Sequence, residues 1–125
     1  MIKIIRKQTG FSLIEVVAGL IILAIGLLGI AAMQITATKG SFFSSNVTQA
    51  NCFAQDKLEY LKNLPYNASN LSTGQYNEGK ISTTIFSREY DVAEDIGNSM
   101  KTITVTVQWT DRGNHSISFS TIRSK

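Results

Sequence analysis

One ionisable side chain, Glu15, stands in a stretch that is otherwise almost wholly apolar. Phe11, Leu13 and Ile14 precede it, and 18 consecutive apolar or glycine residues, Val16 to Met33, follow it. A carboxylate in a hydrocarbon environment is disfavoured by about 2.5–3.5 kcal/mol near a helix centre. Glu15 is close to the helix end, where the cost is lower, but a residue so placed needs a partner or a task. One local task is available. Ser12-Leu13-Ile14-Glu15 has the Ser-x-x-Glu form of a capping box, in which Glu15 would satisfy a backbone donor at the start of its own helix.

The other reactive residue types form no constellation. Cys52 is the one cysteine, so no intramolecular disulfide can form. His115 is the one histidine, distant in sequence from Cys52 and expected at the surface after a tight turn. A Cys–His nucleophilic pair therefore has no support. Asp91, Glu94 and Asp95 cluster before Gly97-Asn98, but their spacing matches no EF-hand loop and reads as a solvated turn. The chain is expected to have no catalytic residues, metal site or cofactor. The charge balance is also informative. Three of the 12 basic residues, Lys3, Arg6 and Lys7, precede Gly10; 12 less three leaves nine, against nine acidic ones. The net charge of +3 belongs to that short leading segment, so charge gives no reason to expect nucleic-acid binding.

At 125 residues there is room for one domain beyond the apolar segment. Residues 1–10 read as a basic leader. Phe11–Met33 would reach about 35 Å as a helix, enough to cross a bilayer, and residues 11–39 are expected to form the membrane or filament-core helix. Lysines and arginines precede this segment and only Lys39 follows closely. The N-terminus is therefore expected in the cytoplasm, with a single pass through the inner membrane and the rest outside. The helical period continues in Phe43, Val47, Ala50, Ala54, Leu58 and Leu61, which share one face. Phe42, Phe53 and Tyr60 flank that face, and Pro65 ends the helix near Asn63. Residues 40–125 then form an extracytoplasmic head, in which 64–79 are expected to be a loop and 80–123 a sheet. The sheet is expected to have three antiparallel strands: Ile81–Val92, a run through Ile103, Val105, Val107 and Trp109, and a run through Ile117 and Phe119. Asp111–Asn114 reads as a hairpin loop with Gly113 able to adopt positive φ. The fold class is α+β, a long N-terminal apolar helix packed by its C-terminal half on this sheet. Gly19, Gly26, Gly29 and Ala32 lie near one stripe and permit close helix approach.

Gly10-Phe11-Ser12-Leu13-Ile14-Glu15 followed by an uninterrupted apolar helix resembles the N-terminal motif of type IV prepilins. The resemblance implies cleavage between Gly10 and Phe11 by a prepilin peptidase, N-methylation of Phe11, and a filament role for Glu15 opposite the positive N-terminus of a neighbouring subunit. It further implies partners among the major and minor pilins, through the N-terminal helix, and in the inner-membrane assembly machinery, with final residence in a surface pilus. Ala24–Gly29, Ala54–Glu59 and Ile103–Asp111 resemble, less specifically, PilV-type minor pilins, which start or modify type IV pili. The helix proline of many major pilins is missing, Ala32 standing near its place, and so is a C-terminal cysteine pair. A pseudopilin of a type II secretion system is the alternative that this resemblance leaves open.

Overall fold

The computed structural model describes residues 10–97 and 99–125. One helix, α1, runs Leu13–Asn63. It is followed by strands β1 (Gly74–Lys80), β2 (Phe86–Asp95), β3 (Met100–Thr110) and β4 (Asn114–Ser124). The strands form one antiparallel sheet in the order β1-β2-β3-β4. The chain divides into two compact units, the first ending at Phe42 and the second comprising Phe43–Lys125.

In the first unit every described residue is exposed. The helix satisfies its own backbone, and two of its threonines bond locally. Thr36 Oγ1 donates to Ala32 O at 3.2 Å and Thr38 Oγ1 to Gln34 O at 2.9 Å. No proline interrupts α1, and Pro65 lies two residues beyond its end, where a ring without an N–H cannot extend the helix.

The second unit packs its part of α1 on the sheet. Ala50, Ala54 and Leu61 are wholly buried, Val47 and Leu58 partly so, and Phe43 stays 44% exposed. The two alanines are small enough to let the helix approach the strands closely. Opposite them lie Phe86, Tyr90, Val92, Ile103, Val105, Val107 and Trp109, the inward-facing residues of β2 and β3. Phe53 meets Phe86 with ring centroids 5.4 Å apart, and Phe86 meets Trp109 at 5.8 Å.

The sheet has four strands rather than the expected three. The segment 64–79, expected to be a loop, contains a 3-10 turn at Ser69–Leu71 and nearly all of β1. Its residues, Gly-Gln-Tyr-Asn-Glu-Gly-Lys, have low strand propensity because they offer little to pack. Tyr76 supplies the exception, stacking on Tyr90 with centroids 4.6 Å apart. The register between β1 and β2 shifts at Asn77/Gly79, where Glu78 is the extra residue. Gly79 has φ +71°, and its N–H donates to Asn77 Oδ1 at 2.8 Å, which stabilises the bulge. The bulge re-aims Glu78 at two cations. Lys57 on α1 pairs with one carboxylate oxygen, and Arg88 Nε donates to the other at 2.6 Å. Residues 81–85, expected in a strand, form the β1–β2 turn instead, with Thr83 at φ +62°. Gly113 does not adopt positive φ, which among the described glycines is confined to Gly74 and Gly79.

Two more cations close the unit from inside. Lys101 is only 6% exposed; its ammonium donates to Leu71 O at 2.9 Å and Tyr66 O at 3.0 Å, and lies 4.4 Å from the Tyr66 ring centre. It holds the connection between α1 and β1 against the sheet. Arg123 donates to Leu61 O at 3.3 Å, satisfying one of the carbonyls that a helix C-terminus leaves open.

Two predictions follow from these cations. Lys101→Met keeps the aliphatic stem but leaves two carbonyls without a donor. It should cost about 1–3 kcal/mol, read as a lower urea midpoint at unchanged slope. The second concerns pH. Burial alone would raise the Glu78 carboxyl, but hydrogen bonds and charge from Lys57 and Arg88 outweigh it and hold it below its ordinary 4.5. A carboxyl depressed by folding adds stability above its unfolded value, and that stability disappears as pH falls through the lower folded value. Wild type should therefore exceed Glu78→Gln in thermal midpoint at neutral pH, with the difference shrinking to nothing as pH falls below 4.5.

Candidate functional site

The site is built on the start of α1. Gly10 is exposed and extends no contact: a Cβ added there would meet nothing within 4 Å. Phe11 is 83% exposed. The scissile bond expected between them is thus open on both sides in this chain. Residues 1–9, the rest of the expected leader, lie outside the described residues.

Ser12 starts the helix. The backbone N–H of Glu15 donates to Ser12 O at 3.1 Å and to Ser12 Oγ at 3.3 Å, and Val16 N–H donates to Ser12 O at 3.2 Å. Ser12 is therefore the N-cap, and its hydroxyl satisfies an otherwise open donor. The reciprocal half of the capping box is missing. Among the described residues the Glu15 carboxylate makes no hydrogen bond or ion pair, and the side chain is exposed. Its position in the first turn suits a negative charge electrostatically. Nothing else in the described chain needs it.

At 3.6 residues per turn, Gly19, Gly26 and Gly29 fall within about 40° of Glu15 around the helix. Ala32 lies about 100° away, so it does not belong to the same stripe. Side chains added at the three glycines would also meet nothing within 4 Å. The carboxylate and the glycines thus share a face that this chain leaves open. The helix is long and apolar enough to cross a membrane, and its apolar part is wholly uncovered.

Residues 5–31 match the family described as the prokaryotic N-terminal methylation motif. The matched segment takes in Gly10, Phe11, Glu15, Gly19, Gly26 and Gly29. This is the motif of type IV prepilin-like proteins, pilins and pseudopilins alike. It is consistent with processing by a prepilin peptidase and with membrane association, and the apolar helix is compatible with membrane anchoring. No curated protein and no solved structure matches the chain.

The remaining candidates lie apart from this motif. Cys52 is a free thiol, exposed on α1. His115 is half-buried rather than a plain surface residue. Its ring meets Phe43 edge-on at 5.1 Å and Trp109 at 5.4 Å, and its Nε2 lies 3.1 Å from Asp111 Oδ1. Asp111 also accepts from Asn46 Nδ2 at 3.4 Å. The Arg112 backbone N–H beside it, then His115 and Asn46, hold its carboxyl below the usual range against the opposing effect of burial. These contacts fasten the β3–β4 hairpin to α1. Among the described residues no three His, Cys, Asp or Glu side chains are grouped to hold a metal ion, at Asp91, Glu94 and Asp95 or elsewhere. Glu94 instead faces Tyr66, whose hydroxyl lies 3.5 Å away.

Lys101, Arg88 and Arg123 were not singled out by the sequence reading. A signal for them was present. Lys101 has the parity of Ile103, Val105, Val107 and Trp109, Arg88 that of Phe86, Tyr90 and Val92, and Arg123 that of Ile117 and Phe119. A cation at an inward position must find acceptors inside.

Proposed function

We propose that this chain is a structural subunit of a type IV pilus, a minor pilin of the PilV type, that starts or modifies the filament and has no catalytic role. The observation that carries the reading is the Glu15 carboxylate, lodged in an apolar helix within the methylation motif and without a partner among the described residues of its own chain. Cleavage after Gly10 would create an ammonium at Phe11. In a bundle of such helices the Phe11 ammonium of one subunit can meet the Glu15 carboxylate of the next, in surroundings of low dielectric where the attraction is far stronger than in water. N-methylation of Phe11 by the same peptidase keeps that positive charge. Gly19, Gly26 and Gly29, on the same face, let the neighbouring helix come close enough. The subunit would wait in the inner membrane, N-terminus in the cytoplasm, before the assembly machinery draws it into a surface filament alongside other pilins.

Two outcomes test this. Gly10→Val should leave uncut precursor in the membrane, because the side chain crowds the scissile bond; intact-mass measurement would read a chain that retains residues 1–10. Glu15→Gln should be processed and inserted normally, even more readily, since it removes a charge from the apolar segment. Its share in sheared filaments should nevertheless fall sharply. The neighbour's ammonium would be left unpaired in the filament core, and stranding one partner of a buried pair costs about 3–5 kcal/mol. Glutamine also serves in a capping box, so incorporation at the wild-type level would reduce Glu15 to a cap and remove the main support for the proposal.

A further inference from the structure

The sheet has two free edges, and they are built differently. β1 is seven residues long, broken by the bulge at Asn77/Gly79, and carries Glu78 and Lys80. Short length, bulges and charge are the devices by which sheets discourage further strands. Of these devices β4 has only charge, in Arg123, whose guanidinium is turned inward to Leu61 O. All 11 of its residues, Asn114–Ser124, pair with β3 without irregularity, and it contains no lysine, carboxylate or proline. Its outer backbone edge therefore presents a long, regular row of donors and acceptors.

The side chains point the same way. On β3 the inward-facing Ile103, Val105 and Val107 are fully buried. On β4 the inward-facing Ile117 and Phe119 are only half-buried, packed against the margin of the core. A strand added beside β4 would pair its backbone edge and cover the flank of Ile117 and Phe119 together.

The direction of that strand is fixed by contacts within the unit. His115 packs on Phe43 and Asp111 binds Asn46 at one end, while Arg123 binds Leu61 O at the other. β4 thus runs along α1 in the same direction, and β1 runs against it. The apolar segment precedes Phe43 in the chain, so the Phe43 end of each head is the tethered one. Pairing β4 with β4 of a second copy in antiparallel fashion would set the two Phe43 ends, each continuous in sequence with an apolar segment, at opposite ends of the joined sheet. A head of the same general plan, tethered in the same membrane, brings its first strand to β4 running antiparallel. The β1 of this chain is too short and too bent to match 11 residues.

We infer that β4 is a docking edge for the first strand of a different pilin-like subunit, added antiparallel to extend the sheet from one head into the next. This rests on the reading of the chain as a filament subunit. The test uses the full chain in intact membranes, with a benzophenone amino acid placed at Ser116, at Ser120 or, as a reference, at Leu20 in the apolar helix. Ser116 and Ser120 are expected to crosslink to one other protein bearing an N-terminal methylation motif, at two sites on its first strand in reversed order. Ile117→Lys, and independently the exposed Ser118→Lys, should abolish those adducts while Leu20 adducts persist. If Leu20 crosslinks to pilin-like proteins while the β4 positions reach only lipid, a second copy of this chain or nothing, the docking edge is wrong and the filament reading stands. If either lysine variant keeps the β4 adducts, the docking edge is likewise wrong. If Leu20 reaches no such protein either, the filament reading fails and the docking edge falls with it.

Discussion

From Leu13 to Phe42 the backbone satisfies its own hydrogen bonds, and no part of the described chain covers the side chains. Such a segment is stable only where something else supplies the apolar surroundings, and a helix is one of the two backbone forms that can exist there. That requirement governs the rest. It turns the threonine hydroxyls back onto their own helix and leaves a single carboxylate as a conspicuous exception. Glu15 is affordable near the helix end, beside a Ser12 cap, and in no other part of the apolar run would its isolation be so cheap to maintain. A charge of this kind, open on the same face as three glycines, has no partner among the described residues.

The second unit meets a different requirement on the same helix. Here α1 has one dry face, on which Ala50, Ala54 and Leu61 are wholly buried. The strands answer with a mostly aliphatic and aromatic inner face. Its cations are each tied to an acceptor: Arg88 to the bulged Glu78 and to Phe53 O, Lys101 to two loop carbonyls, Arg123 to the end of the helix. The cations work as fasteners between elements that apolar contact alone would leave free to slide. The value of Lys101 lies in the carbonyls it satisfies, since an unpaired buried carbonyl is more costly than a formed hydrogen bond is favourable.

The helix, the two long strands β3 and β4, and the α+β class were legible in the sequence because each is written in a strong period. Leu13–Asn63 contains no breaker, and the alternation around Ile103–Trp109 admits one reading. β1 was not legible because it has no period to show. Its one inward anchor is Tyr76, and a bulge shifts the phase immediately afterward. Residues 81–85 misled for the opposite reason, since Ile81 and Ile85 look like strand residues yet bracket a turn. His115 was underestimated because its neighbours Phe43 and Asp111 come from a distant helix and an adjacent loop, and only the fold brings them together. The motif of residues 5–31 was legible in the sequence. That Glu15 has no partner among the described residues is a fact about three dimensions.

The similarity to known proteins is confined to residues 5–31, and physics gives a reason for this concentration. A motif of this kind is consistent with processing by a peptidase and with residence in a bilayer, and few sequences suit both at once. The head must only bury one helix face on a sheet and close the edges of that packing. Many sequences satisfy that condition, and a core tolerates wide substitution when volume and pattern are kept. Divergence is therefore cheap in the head and expensive in the motif. What distinguishes one such chain from another is then to be sought where packing does not dictate the residue: on the hydroxyl-rich outer face of the sheet, and along a long, regular edge strand whose cation, Arg123, is tied to the end of the helix.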